Sequence, residues 1–99
     1  MSFQTEFPRF EAATLPQIPD GFEDISWHND ACPSFQHETL NLRLFVAEKN
    51  PEDRECPTWE RFILDRYNPE TDIEGVFIIA TENWNEILQA IETEERKAR

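Results

Sequence analysis

Leu40-Asn41-Leu42-Arg43-Leu44-Phe45-Val46-Ala47 is the stretch on which the fold turns. Leu40, Leu42, Leu44 and Val46 recur at every second residue, with Asn41, Arg43, Phe45 and Ala47 between them. That period gathers the aliphatic set on one side of an extended chain, the pattern of a half-buried strand. Downstream, Glu48 to Pro57 is a charged loop bounded by Pro51 and Pro57. A further strand is expected from Trp59 to Tyr67, with Phe62 and Leu64 facing one way and Trp59, Ile63 and Tyr67 the other. Both of its faces carry apolar groups, so the second face also needs cover, and the N-terminal arm is the nearest available.

Asn68-Pro69-Glu70-Thr71-Asp72 reads as a turn, and Gly75 opens a strand over Val76 to Ala80. The unbroken apolar run Val76-Phe77-Ile78-Ile79-Ala80 suits a central or a two-sided position. The C-terminus is helical. Trp84, Ile87, Leu88 and Ile91 stand at i, i+3, i+4 and i+7, one face of a helix. Thr81 and Asn83 are both candidate caps, and Glu86 lies three residues after Asn83. Glu92 with Arg96, and Glu95 with Arg99, can pair at i, i+4, and the bases fall at the negative end of the helix dipole.

Upstream, Phe22-Glu23-Asp24-Ile25-Ser26-Trp27-His28-Asn29-Asp30 is a weaker strand carrying Phe22, Ile25 and Trp27, ended by Cys32-Pro33. Residues 1–21 differ in kind. Pro8, Pro16 and Pro19 interrupt them and Asp20-Gly21 is a turn signal. Phe3, Phe7 and Phe10 have helical spacing around Pro8, so a short helix and an extended arm both remain open; a docking motif for another protein is the minority reading. The expectation is an α+β domain over residues 22–99, with a Pro-containing, extended arm over residues 1–21. About four strands form an antiparallel meander, with one amphipathic helix on one face.

The chain has 99 residues, eight Phe and three Trp, enough for one domain and one aromatic core. Five consecutive apolar residues cannot cross a bilayer. Met1 to Glu6 carry neither a basic region nor an apolar signal core, so a cytoplasmic location is expected. Against 21 Asp and Glu stand nine Lys and Arg, for a net charge of -12. This surplus excludes direct binding to nucleic-acid phosphates and adsorption on anionic membranes. No base occurs between Tyr67 and Gln89, where Glu70, Asp72, Glu74, Glu82 and Glu86 stand. A solvated surface that keeps the protein dissolved is the plain account of such a run. The sharper account is a negative field that steers the protein onto a basic partner, its carboxylates standing in for phosphates.

Chemically able side chains are densest over Trp27 to His37. His28, Cys32 and His37, with the distant Cys56, could supply four zinc ligands, but no tight ligand pair such as CxxC or HExxH occurs among them. A Cys32 nucleophile is disfavoured because surrounding carboxylates raise a thiol's pKa. A Cys32–Cys56 disulfide is left open by the sequence, with reduced thiols the expectation for a chain without a signal peptide. With only Gly21 and Gly75 there is no phosphate-cradling loop, which argues against a nucleotide-using enzyme. Adjacent acids such as Glu23-Asp24 and Glu52-Asp53 point to opposite faces of a strand and do not converge on a substrate. Trp84 is read as core. Trp27 and Trp59 are core by default and interface anchors in the sharper reading.

The string Ile18-Pro19-Asp20-Gly21-Phe22-Glu23-Asp24-Ile25-Ser26-Trp27-His28-Asn29-Asp30-Ala31-Cys32-Pro33-Ser34-Phe35 resembles a small group of uncharacterised bacterial proteins. In that group a similar string precedes a strand-rich remainder and a Trp-containing C-terminal helix, a likeness that extends over residues 18–91. The resemblance implies a small bacterial cytosolic protein, a mobile element being one setting for it. It makes Trp27 to Phe35 the first place to look for a site, and it assigns no activity and no residue's role.

These readings converge on a small, acidic, non-catalytic binding protein. It would act as an inhibitor occupying a basic, nucleic-acid-binding surface of a protein partner. The binding residues would be Trp27, Asp30, Glu70, Asp72, Glu74, Glu82 and Glu86, with no catalytic residue, metal or cofactor. Two other classes compete. One is an assembly module that pairs through a sheet edge or aromatic surface, as a homodimer or in a larger complex. The other is a zinc- or thiol-dependent protein built on His28, Cys32, His37 and Cys56.

Overall fold

The computed structural model describes residues 14–26, 32–54, 58–67 and 76–97. The alternating stretch is a strand, as its period requires. Together with its neighbours it forms one five-stranded antiparallel sheet in which spatial order equals chain order. The strands are β1 (Phe22–Asp24), β2 (Ser34–His37), β3 (Leu42–Val46), β4 (Phe62–Arg66) and β5 (Val76–Thr81), followed by helix α1 (Trp84–Lys97). The meander and the single C-terminal helix are therefore present, with five strands rather than four.

The additional strand is β2. Ser34-Phe35-Gln36-His37 lies inside the stretch read for its chemistry, and Phe35 is its only strong strand former. Pairing makes it a strand: Phe35 stands opposite Leu44 on β3 and opposite Asp24 on β1. The strand expected over Phe22 to Asp30 is confined to Phe22–Asp24, and residues 27–31 lie outside the described residues. There the buried Ser26 takes over from the ladder. Its hydroxyl accepts from the Ser34 amide and donates to the Ser34 carbonyl. Leu40 falls in the β2–β3 turn rather than in β3. Asn41 adopts φ 53°, a left-handed conformation that Asn tolerates and that turns the chain into β3.

The core lies between the sheet and α1. Leu42, Leu44 and Val46 from β3 meet Phe62 and Leu64 from β4, Phe35 from β2, and Ile87 and Ile91 from α1. Leu44 and Leu64 face each other directly across the two strands, and both are fully buried. Trp84 packs on this cluster, its ring 5.0 Å from that of Phe62. Leu88, at i+4 from Trp84, lies at the margin and is exposed. Of the arm, Leu15 and Ile18 pack on this same cluster.

β5 is not central. It is the last strand of the sheet, and Val76 and Phe77 are 60% and 65% exposed. A continuous apolar run reports hydrophobicity without period and cannot separate a central strand from a border strand. Ile78 is the additional residue of a bulge: Leu64 pairs with Ile79 while Asp65 pairs with Phe77.

Two backbone sites are closely specified. Gly21 has φ 95°, and a Cβ placed there would stand 2.4 Å from Nε2 of His37. The glycine thus serves both the turn into β1 and the seating of the His37 ring, which meets Phe22 edge to face at 5.2 Å. At the start of α1, the Asn83 side chain accepts the amide of Asn85. Thr81 does not cap directly. Its hydroxyl accepts from the Asn83 amide and donates to Glu86, and so relays the bond that a capping box would make directly. The Glu92–Arg96 pair forms as expected. Arg99 lies outside the described residues.

Candidate functional site

The carboxylates gather at one end of the sheet. β3 leaves there, β4 enters, and β5 turns into α1, because Val46, Phe62 and Thr81 are register partners. The β3–β4 loop and the β5–α1 turn therefore meet. Glu52, Asp53, Glu60, Glu82 and Glu86 are exposed at this end, and Glu48 is half-buried. Asn50 caps a short 3-10 turn, Pro51–Asp53, through its side chain, which holds Glu52 and Asp53 outward.

Arg54 organises this end. Its side chain is 2% exposed, and its guanidinium makes five hydrogen bonds. It donates to the carbonyls of Glu48 (2.6 Å), Lys49 (3.2 Å) and Trp59 (2.6 Å). It also forks onto both carboxylate oxygens of Glu82 at 3.0 Å each. All five guanidinium donors are thus engaged, three on the loop and two on the turn before α1. Glu82 additionally accepts the amide of Arg61. The Arg54 hydrogen bond holds the Glu82 carboxyl below the ordinary glutamate range, and burial opposes it. Burial and the neighbouring Arg54 charge lower the pKa of Arg61, while Glu82 and Glu48 pull it back up.

Of the residues the sequence nominates for binding, Glu82 and Glu86 meet at this end, in roles the charge run does not disclose. Glu82 is 53% exposed and closes the Arg54 knot. Glu86 is exposed and accepts the Thr81 hydroxyl. Trp27, Asp30, Glu70, Asp72 and Glu74 lie outside the described residues. Sequence reasoning missed Arg54, although an arginine set between Asp53 and Glu55 is a signal that something draws it in.

Elsewhere, Arg43, Arg66 and Lys97 are met by carboxylates of the same chain. Arg43 forks onto the directly opposite Asp65 at 2.7 and 3.2 Å, with its guanidinium over the rings of Phe45 and Tyr67. The buried Glu94 of α1 takes Arg66 from β4 and Lys97 from its own helix.

Cys32 and His37 do not converge. Cys32 precedes β2 and borders an apolar groove with Phe45, Ala47, Trp59 and Ile63, on the sheet face away from α1. His37 ends β2 on the opposite face, where Nδ1 accepts the Leu40 amide. His28 and Cys56 lie outside the described residues, and among the described residues no three His, Cys, Asp or Glu side chains stand close enough to hold a metal. Trp59 is 41% exposed over the groove and is not core. Among the described residues, no helix is long and apolar enough to cross a membrane. Comparison with family models, with curated proteins and with solved structures gives no match for this chain.

Proposed function

We propose that this chain is a small, acidic, non-catalytic binding protein that occupies a basic, nucleic-acid-binding surface of a protein partner. One observation carries the reading: the disposition of charge. Arg43, Arg54, Arg66, Arg96 and Lys97 are each engaged by a carboxylate of the same molecule, Glu82 being that of Arg54, while Glu52, Asp53, Glu60 and Glu86 are exposed at the same end and outnumber the exposed Lys49 there. The surplus therefore faces outward, and Arg54 gives the loop that carries much of it a fixed form. A preordered anionic surface loses little side-chain entropy when a basic surface meets it, and its field speeds the encounter.

The test is a titration against a partner recovered from extract, at low and at high salt, with duplex DNA as competitor. Affinity is expected to fall steeply between about 0.05 and 0.5 M salt, because the Debye length shortens several-fold over that range. DNA is expected to displace the protein. An affinity indifferent to both salt and DNA removes the proposal.

A further inference from the structure

We propose that Phe10 of the N-terminal arm docks in the apolar groove on the sheet face away from α1, with Arg61 as the clamp that delivers it there. The inference stands apart from the electrostatic function: it assigns the groove to the chain itself and leaves the acidic end open to a partner.

The groove suits one aromatic side chain. Cys32, Phe45, Ala47, Trp59 and Ile63 line it, with Arg61 at its wall, and its volume is about 230 Å³. An apolar cavity of about 150 Å³ holds one benzene ring, so this groove takes a single phenylalanine ring with its stem. The indole of Trp59 is 41% exposed above it, and a ring seated beneath would cover part of that surface.

The place where the arm begins selects the occupant. Residues 1–13 lie outside the described residues, and Thr14 is the first described. Leu15 and Ile18 pack on the core cluster, and the chain leaves that cluster at Thr14, whose carbonyl accepts Nη2 of Arg61. Arg61 immediately precedes β4 and borders the groove, so the arm starts at the groove's wall. Nε of the same guanidinium is buried and has no acceptor among the described residues. A carbonyl of the arm arriving beside that of Thr14 supplies one.

Reach then singles out Phe10. It stands four residues before Thr14, a span of at most about 14 Å. The exposed pair Val76 and Phe77 stands opposite Arg66 and Asp65, five and four residues further along β4 than Arg61. The groove is therefore the nearer apolar surface. So short a tether gives Phe10 an effective concentration at the groove on the order of millimolar. A second copy of this chain at micromolar concentration does not match that, and two copies with a net charge of -12 each repel one another.

The experiment follows alkylation of Cys32 by iodoacetamide in the full-length protein, resolved from Cys56 by mass spectrometry of the labelled peptides. Phe10→Ser is expected to raise the rate at Cys32 about tenfold, and Phe3→Ser, in the same arm but farther from the clamp, to change it less than twofold. Thermal melts of both variants check that the domain remains folded. The unaltered protein supplies a second measurement that needs no substitution: nuclear Overhauser contacts from the Phe10 ring to the Ile63 methyls and the Trp59 indole are expected in a dilute monomer. Absence of those contacts would overturn the proposal. So would a Cys32 rate in a folded Phe10→Ser variant equal to that of the parent. Contacts seen only between differently labelled chains in a mixed sample would assign the groove to a second copy's arm, with the same consequence. None of these results alters the salt dependence expected of the acidic end, so the two proposals stand or fall separately.

Discussion

Gly21 shows how much one residue can carry here. Its φ of 95° and the closeness of His37 to any Cβ mean that Gly21→Ala meets both backbone strain and a clash. A loss of about 1–3 kcal/mol is expected, read as a lowered melting temperature or denaturant midpoint. Arg54 is the other decisive residue. Arg54→Ala strips hydrogen bonds from three carbonyls and from Glu82 at once, and a cost of about 2–4 kcal/mol is expected in chemical denaturation. Arg54→Lys is expected to rescue little of it, because an ammonium cannot reproduce a planar five-donor fork. Glu82 links this knot to pH. Its folded-state pKa is lowered by Arg54, so its contribution is present above the pKa of the unfolded chain and is lost as pH falls through the folded value. Stability is therefore expected to fall with acid below about pH 4.3, the ordinary glutamate value, and Glu82→Gln to flatten that part of the profile. A profile with the same slope in the variant would place the acid sensitivity elsewhere.

At the scale of elements, the sequence discloses most where one period governs. β3 and α1 bury one side each, and alternation or a 3.6-residue repeat reports that side directly. β2 stayed hidden because four residues with one strong strand former hold no period long enough to read; its neighbours recruit it. The border position of β5 was illegible for a different reason: strand order belongs to the sheet, not to the strand. The candidate site was half legible. A run of acids announces a charged surface, but the partners of Arg54 lie up to 28 residues away and are assembled only by the fold. The start of α1 offers a direct check. Asn83→Ala removes the cap on the Asn85 amide and is expected to cost about 1 kcal/mol. Thr81→Val is expected to add to it less than independently, because both act through one relay. Thermal melts of the two single variants and the double variant measure that coupling.

For the molecule as a whole, charge and packing do separate work. Among the described residues the core is a cluster of apolar side chains with no ion pair in it, and Leu44→Ala is expected to cost about 2–5 kcal/mol at any salt concentration. Surface charge governs behaviour in solution instead. Solubility is expected to pass through a minimum near the calculated isoelectric point of about 4.4, where the mutual repulsion of the chains vanishes. Turbidity measured across acidic pH checks this.

Because each strand lies beside its predecessor, the sheet can grow in the direction of synthesis. Every newly emerged strand finds its template already laid down, and no segment waits for a distant mate across a large closed loop. The same order leaves two frontiers, the oldest strand and the youngest, and among the described residues neither Phe22–Asp24 nor Val76–Thr81 pairs with a further strand on its outer side.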